Sequence, residues 1–145
     1  MASEPDTKLA VGAKMRNEFF GSKHLEELRR DAVSGQPYSP FVWKDDIFTK
    51  TASEFISEVC FSSYSRPGLK FRERSLMNIA MLVALNRAPE LKIHLRAALH
   101  NGISEEELCE ACRHTMVYCG VPAGRDALKA ASEVVTALKD SGELP

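Results

Sequence analysis

Residues 86–107 read Asn86-Arg-Ala-Pro-Glu-Leu-Lys-Ile-His-Leu-Arg-Ala-Ala-Leu-His-Asn-Gly-Ile-Ser-Glu-Glu-Glu107, and this stretch carries its own punctuation. Pro89 suits the first turn of a helix, where a missing N–H costs nothing. Gly102 stands where a helix needs a C-terminal cap. Ser104 followed by Glu107 is a capping box, so a second helix starts directly afterwards. Two helices on either side of Gly102 make a short αα-hairpin. Downstream, Leu108, Ala111, Cys112, Thr115 and Cys119 form the apolar stripe of that second helix. Gly120-Val-Pro-Ala-Gly124 is read as the break, before a last helix with Leu128, Ala131, Val135 and Leu138 that stops near Gly142.

Upstream the same three- and four-residue spacing continues, with no strict alternation, so the reading is all-α. Arg72 to Arg87 is a helix apolar on more than one side. Leu76, Ile79, Ala80 and Val83 make one stripe, and Met77, Met81, Leu82 and Leu85 fall outside it. Such a helix is either buried or covered by another subunit. Pro67 and Gly68, within Ser65–Leu69, suit a type II turn. Phe48, Ala52, Phe55 and Val59 mark one face of an earlier helix. Ser34–Pro40 is a loop. A first helix covers Thr7 to Phe20 and ends at Gly21, and Ser22 caps a short helix carrying Leu25 and Leu28.

The chain of 145 residues fits one domain with a core of its own. Nineteen Lys and Arg against twenty Asp and Glu leave no positive field for nucleic acid. No apolar run approaches the ~20 residues that span a bilayer. Met1–Asp6 is polar and acidic, unlike a secretion signal, so the expected location is cytoplasmic. Reduced cysteines follow from that setting, and each reads first as a packing residue.

Three groups of residues could carry chemistry. Glu90 and His94 are four apart on one helix and share a face, with Arg87 one turn earlier. An acid, an imidazole and a guanidinium together suit proton transfer beside an anionic substrate. The same spacing also describes an exposed ion pair. His114 and Tyr118 repeat the geometry on the next helix, with Glu110 one turn earlier; a histidine satisfied by Glu110 at a helix contact is the plainer reading. Cys109 and Cys112 form a C-x-x-C, a spacing used in thiol chemistry. Yet Cys109 falls inside the helix and Cys112 on its apolar stripe. A zinc site would draw on distant His24, His94 or His100, so no metal is expected.

The residues themselves resemble a known family. Arg66-Pro-Gly-Leu69, Arg74-Ser-Leu-Met-Asn-Ile-Ala80, Asn86 through Ala98, Asn101-Gly102 and Tyr118-Cys-Gly-Val-Pro122 are similar to the signature of the carboxymuconolactone decarboxylases. An upstream echo runs from Gly12 through Arg16 to Phe20-Gly21 and His24-Leu25, so the likeness covers about Gly12 to Leu138. It implies an alkylhydroperoxidase-D-like helical fold and a homo-oligomer, whether dimer, trimer or a hexamer built as a trimer of dimers. It also implies decarboxylation of 4-carboxymuconolactone to the 3-oxoadipate enol-lactone with no cofactor. In that lactone the departing carboxylate sits on a carbon conjugated to the ring carbonyl, so the bonding electrons can move onto the carbonyl oxygen. On this likeness His94 is expected as proton donor and Glu90 as its orienting partner. Arg87 and Arg74 are expected to bind carboxylate or oxyanion, with a salt bridge as the other role for Arg74. His114 and Tyr118 would complete the pocket.

The chain also departs from the family. The peroxidase branch carries its redox C-x-x-C one turn before the histidine, where this chain has Arg87-Ala-Pro-Glu90; its own cysteine pair lies on the following helix. Thiol peroxidase or reductase activity through Cys109 and Cys112 is therefore an alternative of lower standing. Bacterial members resemble W-G-D-I-W where this chain has Cys60-Phe-Ser-Ser-Tyr64, and Pro37–Phe48, with Trp43, is longer. A smaller pocket wall leaves a larger, polyketide-derived acid as another possible substrate. A non-catalytic oligomeric binding protein is the remaining class.

Overall fold

The computed structural model describes residues 7–33 and 46–144. The acidic start, the Ser34–Pro40 loop and Trp43 lie outside the described residues. Among those described, every regular element is helical: α1 (Lys8–Phe20), α2 (Ser22–Val33), α3 (Ile47–Phe55), α4 (Phe71–Ala84), α5 (Ala88–His100), α6 (Glu105–Cys119) and α7 (Val121–Asp140). A π-helical turn (Ile56–Cys60) and a 3-10 segment (Phe61–Ser65) follow α3. The chain forms two compact units, Met1–Leu69 and Lys70–Pro145.

In the first unit, Thr7 caps α1 by accepting from the Ala10 N–H at 3.2 Å, and Gly21 ends it at φ 80°. Gly12 is the point where α1 meets the π turn. A Cβ there would fall inside the Ser57 carbonyl oxygen, so only glycine fits. Around this contact Phe19, Phe20, Phe61 and Tyr64 stack edge to face or tilted, with centroids 4.8 to 6.1 Å apart. Arg16 and His24 are buried in the same unit, so the residues of the upstream echo are mostly core.

The Phe48, Ala52, Phe55 and Val59 face is exposed, with Phe48 at 81%. In the π turn that follows α3 the Phe61 N–H donates to the carbonyl of Ile56, five residues back. Ser57 and Phe61 are buried. One sequence expectation fails in this unit. At Pro67-Gly68 a type II turn needs positive φ at the glycine, and Gly68 does not adopt it.

The second unit is built on α4 to α7. Ile79 and Val83 of α4, Leu91, Leu95 and Ala98 of α5, Leu108 and Cys112 of α6, and Ala127, Ala130 and Ala131 of α7 form one buried cluster. Only one face of α4 enters it. Met77, Ala80, Met81 and Leu85 are exposed, Leu85 at 69%, so Ala80 does not share the buried stripe assigned to it from the sequence. Helices α6 and α7 approach closely at Gly124. Gly124, read from the sequence as part of a break, lies inside α7, and a Cβ there would be 2.9 Å from the Met116 backbone nitrogen.

The helix ends follow capping chemistry. The Ser104 hydroxyl accepts from the Glu107 N–H (3.2 Å), and the Glu107 carboxylate accepts from the Ser104 N–H (3.0 Å), as the sequence pattern predicts. At Gly102 (φ 85°) the Ile103 N–H reaches the Ala98 carbonyl and the Gly102 N–H that of Leu99, a Schellman cap. The end of α4 uses the same motif with Asn86 at φ 53° in the glycine position. Asparagine is among the few residues that visit this region routinely.

Two stability changes follow. Gly124→Ala and Gly12→Ala each destabilise by about 2 kcal/mol or more, because the steric cost exceeds the ~1 kcal/mol gained from alanine's helix propensity. Asn86→Gly is neutral or stabilising by up to ~1 kcal/mol, whereas Asn86→Val destabilises by ~1–2 kcal/mol. Urea unfolding of the four variants beside the parent checks both, and an unchanged midpoint for Gly12→Ala would contradict the close contact.

Candidate functional site

Helix α5 presents three faces with different tasks. Leu91, Leu95 and Ala98 enter the core. Lys92 reaches Glu133 at 2.6 Å and Arg96 reaches Glu143 at 2.8 Å, both beyond α6 in the chain. The first pair is half exposed and the second mostly covered, and both fix which way those side chains point. The third face carries Glu90 and His94, one turn apart and both partly buried.

His94 is the most perturbed group of this face. Burial pushes its imidazole from the usual 6.5 down to about 4, so it is neutral at pH 7. The Asn78 Nδ2 lies 3.4 Å from His94 Nδ1. Nearby, Asn101 Nδ2 donates to Ser75 Oγ (3.1 Å), and Ser75 Oγ donates to the Phe71 carbonyl (2.8 Å). Ser75 and Asn78 are three apart on α4, while His94 precedes Asn101 by seven. Each set therefore lies along one helix face, and the pairing order makes α4 and α5 antiparallel.

The other expected residues are less concentrated. Arg87 is the N-cap of α5 and exposed, outside the regular helix that holds Glu90 and His94. Arg74 is partly buried on α4. His114 and Tyr118 do face each other, with ring centroids 5.4 Å apart, but both are exposed on α6, Tyr118 at 81%. Glu110 bonds Arg113 at 2.9 Å, which assigns it to a neighbour other than the histidine expected from the sequence.

Cys112 is fully buried, and burial together with the neighbouring Cys109 pushes its thiol from 9.0 up to about 11. A thiol held there stays protonated at pH 7, and the thiolate is the reactive form. The pair therefore has the character of packing for Cys112 and of an exposed surface thiol for Cys109. Among the described residues no three His, Cys, Asp or Glu side chains group as metal ligands, and no helix is long and apolar enough to cross a membrane.

The i,i+4 spacing placed His94 and Glu90 on one helix face, as the structure has them. The sequence did not signal the approach of Asn78, which reads only as an interruption of an apolar helix, or the Ser75–Asn101 tie. Their one available signal is a pair of small polar residues three apart on an otherwise apolar helix.

The depressed pKa has a consequence for stability. The unfolded chain protonates this histidine near 6.5 and the folded chain only near 4. Stability from His94 is thus fully present above pH 6.5 and is lost as pH falls from 6.5 to about 4. Between pH 7 and pH 4 the unfolding free energy in urea should drop by up to ~3 kcal/mol more for the parent than for His94→Gln. Parallel pH profiles for the two proteins would show that the imidazole is not desolvated.

Comparison with known proteins adds to this geometry. The sequence profile of the carboxymuconolactone decarboxylase family matches residues 51–133. A 4-carboxymuconolactone decarboxylase of Acinetobacter baylyi is 36% identical over 135 residues, covering 92% of this chain and 89% of the relative. A nitrosuccinic acid decarboxylase of Metarhizium robertsii is 31% identical over 133 residues, covering 91% and 84%. With its matched helices α4, α5 and α6 carrying His94 and Glu90, the chain belongs to the carboxymuconolactone decarboxylase family.

Proposed function

We propose that the protein is a carboxy-lyase acting on a small acid whose departing carboxylate sits beside an electron-accepting group, of the 4-carboxymuconolactone type. The observation that carries this reading is a histidine kept neutral by burial, one turn from Glu90 on the same helix face. Family membership and decarboxylase relatives support it.

The chemistry asks little beyond positioning and charge. As the C–C bond breaks, carbon dioxide leaves and the electron pair moves through the conjugated system onto the carbonyl oxygen. The protein holds the carboxylate, stabilises that oxygen and lets a proton reach carbon. Arg74 and Arg87 are the candidates for the carboxylate. The family resemblance suggests His94 as proton donor, and its pKa near 4 makes the charged form scarce at pH 7. His94 acts in its neutral form, donating an N–H hydrogen bond to the developing oxyanion, a role in which neutral imidazole is effective. Glu90, one turn away on the same helix, relays the proton between water and carbon. His114 and Tyr118, exposed in the single chain, join the site only in an assembled homo-oligomer. The exposed apolar faces at Met77, Met81 and Leu85, and at Ile47, Phe48 and Phe55, support such assembly. The corner at Gly102 then serves as the central αα-hairpin of the family fold.

A second reading is favoured by the relative that decarboxylates nitrosuccinic acid. A nitro group next to the carboxyl-bearing carbon accepts the electron pair as a nitronate, so one oxyanion site serves either acceptor.

Carbon dioxide release from 4-carboxymuconolactone and from nitrosuccinic acid, measured side by side, separates the readings. His94→Ala should lower kcat/KM by roughly 100-fold or more on the true substrate, the effect of removing one oxyanion donor. Cys109→Ser should leave it unchanged. Release from neither acid, or full turnover by a folded His94→Ala, overturns the proposal.

A further inference from the structure

We infer that Asn78 is a positioning residue that sets the tautomer of His94, so that the ring proton sits on Nε2 and the Nε2–H faces the reacting group. The inference rests on the proposed role of neutral His94 and extends it to a residue on another helix.

The geometry starts from a mismatch. Asn78 is a partly buried amide on α4, between the core residues Ser75 and Ile79. Its Nδ2 is 3.4 Å from His94 Nδ1. An amide nitrogen can only donate, so Nδ1 must accept, and a neutral ring then has its single proton on Nε2. The distance is long for a hydrogen bond; contacts of this kind often shorten when substrate is bound. If the amide were turned over, its oxygen would face Nδ1, and Nδ1 would carry the proton. The two amide orientations are thus the two tautomers, and only one presents an N–H on the far side of the ring.

The frame around the amide keeps this pairing in register. Ser75, one turn before Asn78, receives the Asn101 side chain at 3.1 Å. Ile79 and Leu95, neighbours of Asn78 and His94 in sequence, are both wholly buried in one cluster. A polar tie and an apolar contact therefore stand beside the Asn78–His94 pair, and neither helix can slide without breaking both. Burial keeps the ring neutral, which is the condition under which the position of its one proton matters.

The test uses the full chain labelled with nitrogen-15 and reads the His94 ring nitrogens by NMR at pH 7. The parent should show Nδ1 as the unprotonated nitrogen and Nε2 as the protonated one. Asn78→Asp, nearly the same shape, offers only acceptors and should move the proton to Nδ1. Asn78→Leu should give a mixture of tautomers and a roughly tenfold lower kcat with little change in KM. The aspartate variant should lose more, because its N–H points the wrong way. A protonated Nδ1 in the parent, or an unchanged tautomer in a folded Asn78→Asp, overturns the inference. The NMR result needs no substrate, so it stands or falls separately from the decarboxylase reading.

Discussion

Ile79, Leu95 and Cys112 come from three different helices and lie wholly out of water in one cluster with Ala127 of a fourth. The rest of the second unit depends on this contact. Burial of apolar side chains the size of Ile79 and Leu95 is worth about 1.5–3 kcal/mol each, more than a half-exposed ion pair such as Lys92–Glu133. It sets the rotation of α5 about its axis. Once Leu91, Leu95 and Ala98 face inward, Lys92 and Arg96 must face Glu133 and Glu143. Glu90 and His94 are left on the remaining face. The candidate site is the side of α5 outside the Leu91–Leu95–Ala98 stripe and the ion pairs, beside the buried Ile93 and Ala97.

Much of this was legible in the residues. Thr7, Gly21, Pro89, Gly102, Ser104 with Glu107, and Gly142 mark helix ends through local rules that need no tertiary information. That His94 and Glu90 share a helix face was legible for the same reason, since helical spacing alone places them together. Pairings between helices were not legible. Asn78 meets His94 across sixteen residues of chain, and nothing local distinguishes it from a solvated asparagine. Gly124 looked like a break because a glycine admitting a neighbouring backbone and a glycine ending a helix have the same side chain. The π turn at Ile56–Cys60 was not legible, because periodicity over so short a segment cannot detect one extra residue of register.

The pKa values order the two chemistries that the sequence offered. Desolvation acts on both His94 and Cys112, and it acts in the same direction on each, towards the uncharged form. For a thiol that means loss of its nucleophile. For an imidazole it means a neutral ring that can still donate through one nitrogen and accept through the other. The same physical effect thus weakens peroxidase chemistry and suits a hydrogen-bonding role beside a developing oxyanion.

The absence of a side chain at Gly124 has a mechanical outcome. Where two helices touch through side chains, they can shear past one another as rotamers readjust. At Gly124 the backbone of α7 rests almost directly on that of α6 near Met116. Only the Met116 side chain stands at that contact, so little compliant material separates α6 from α7 and the two helices move together.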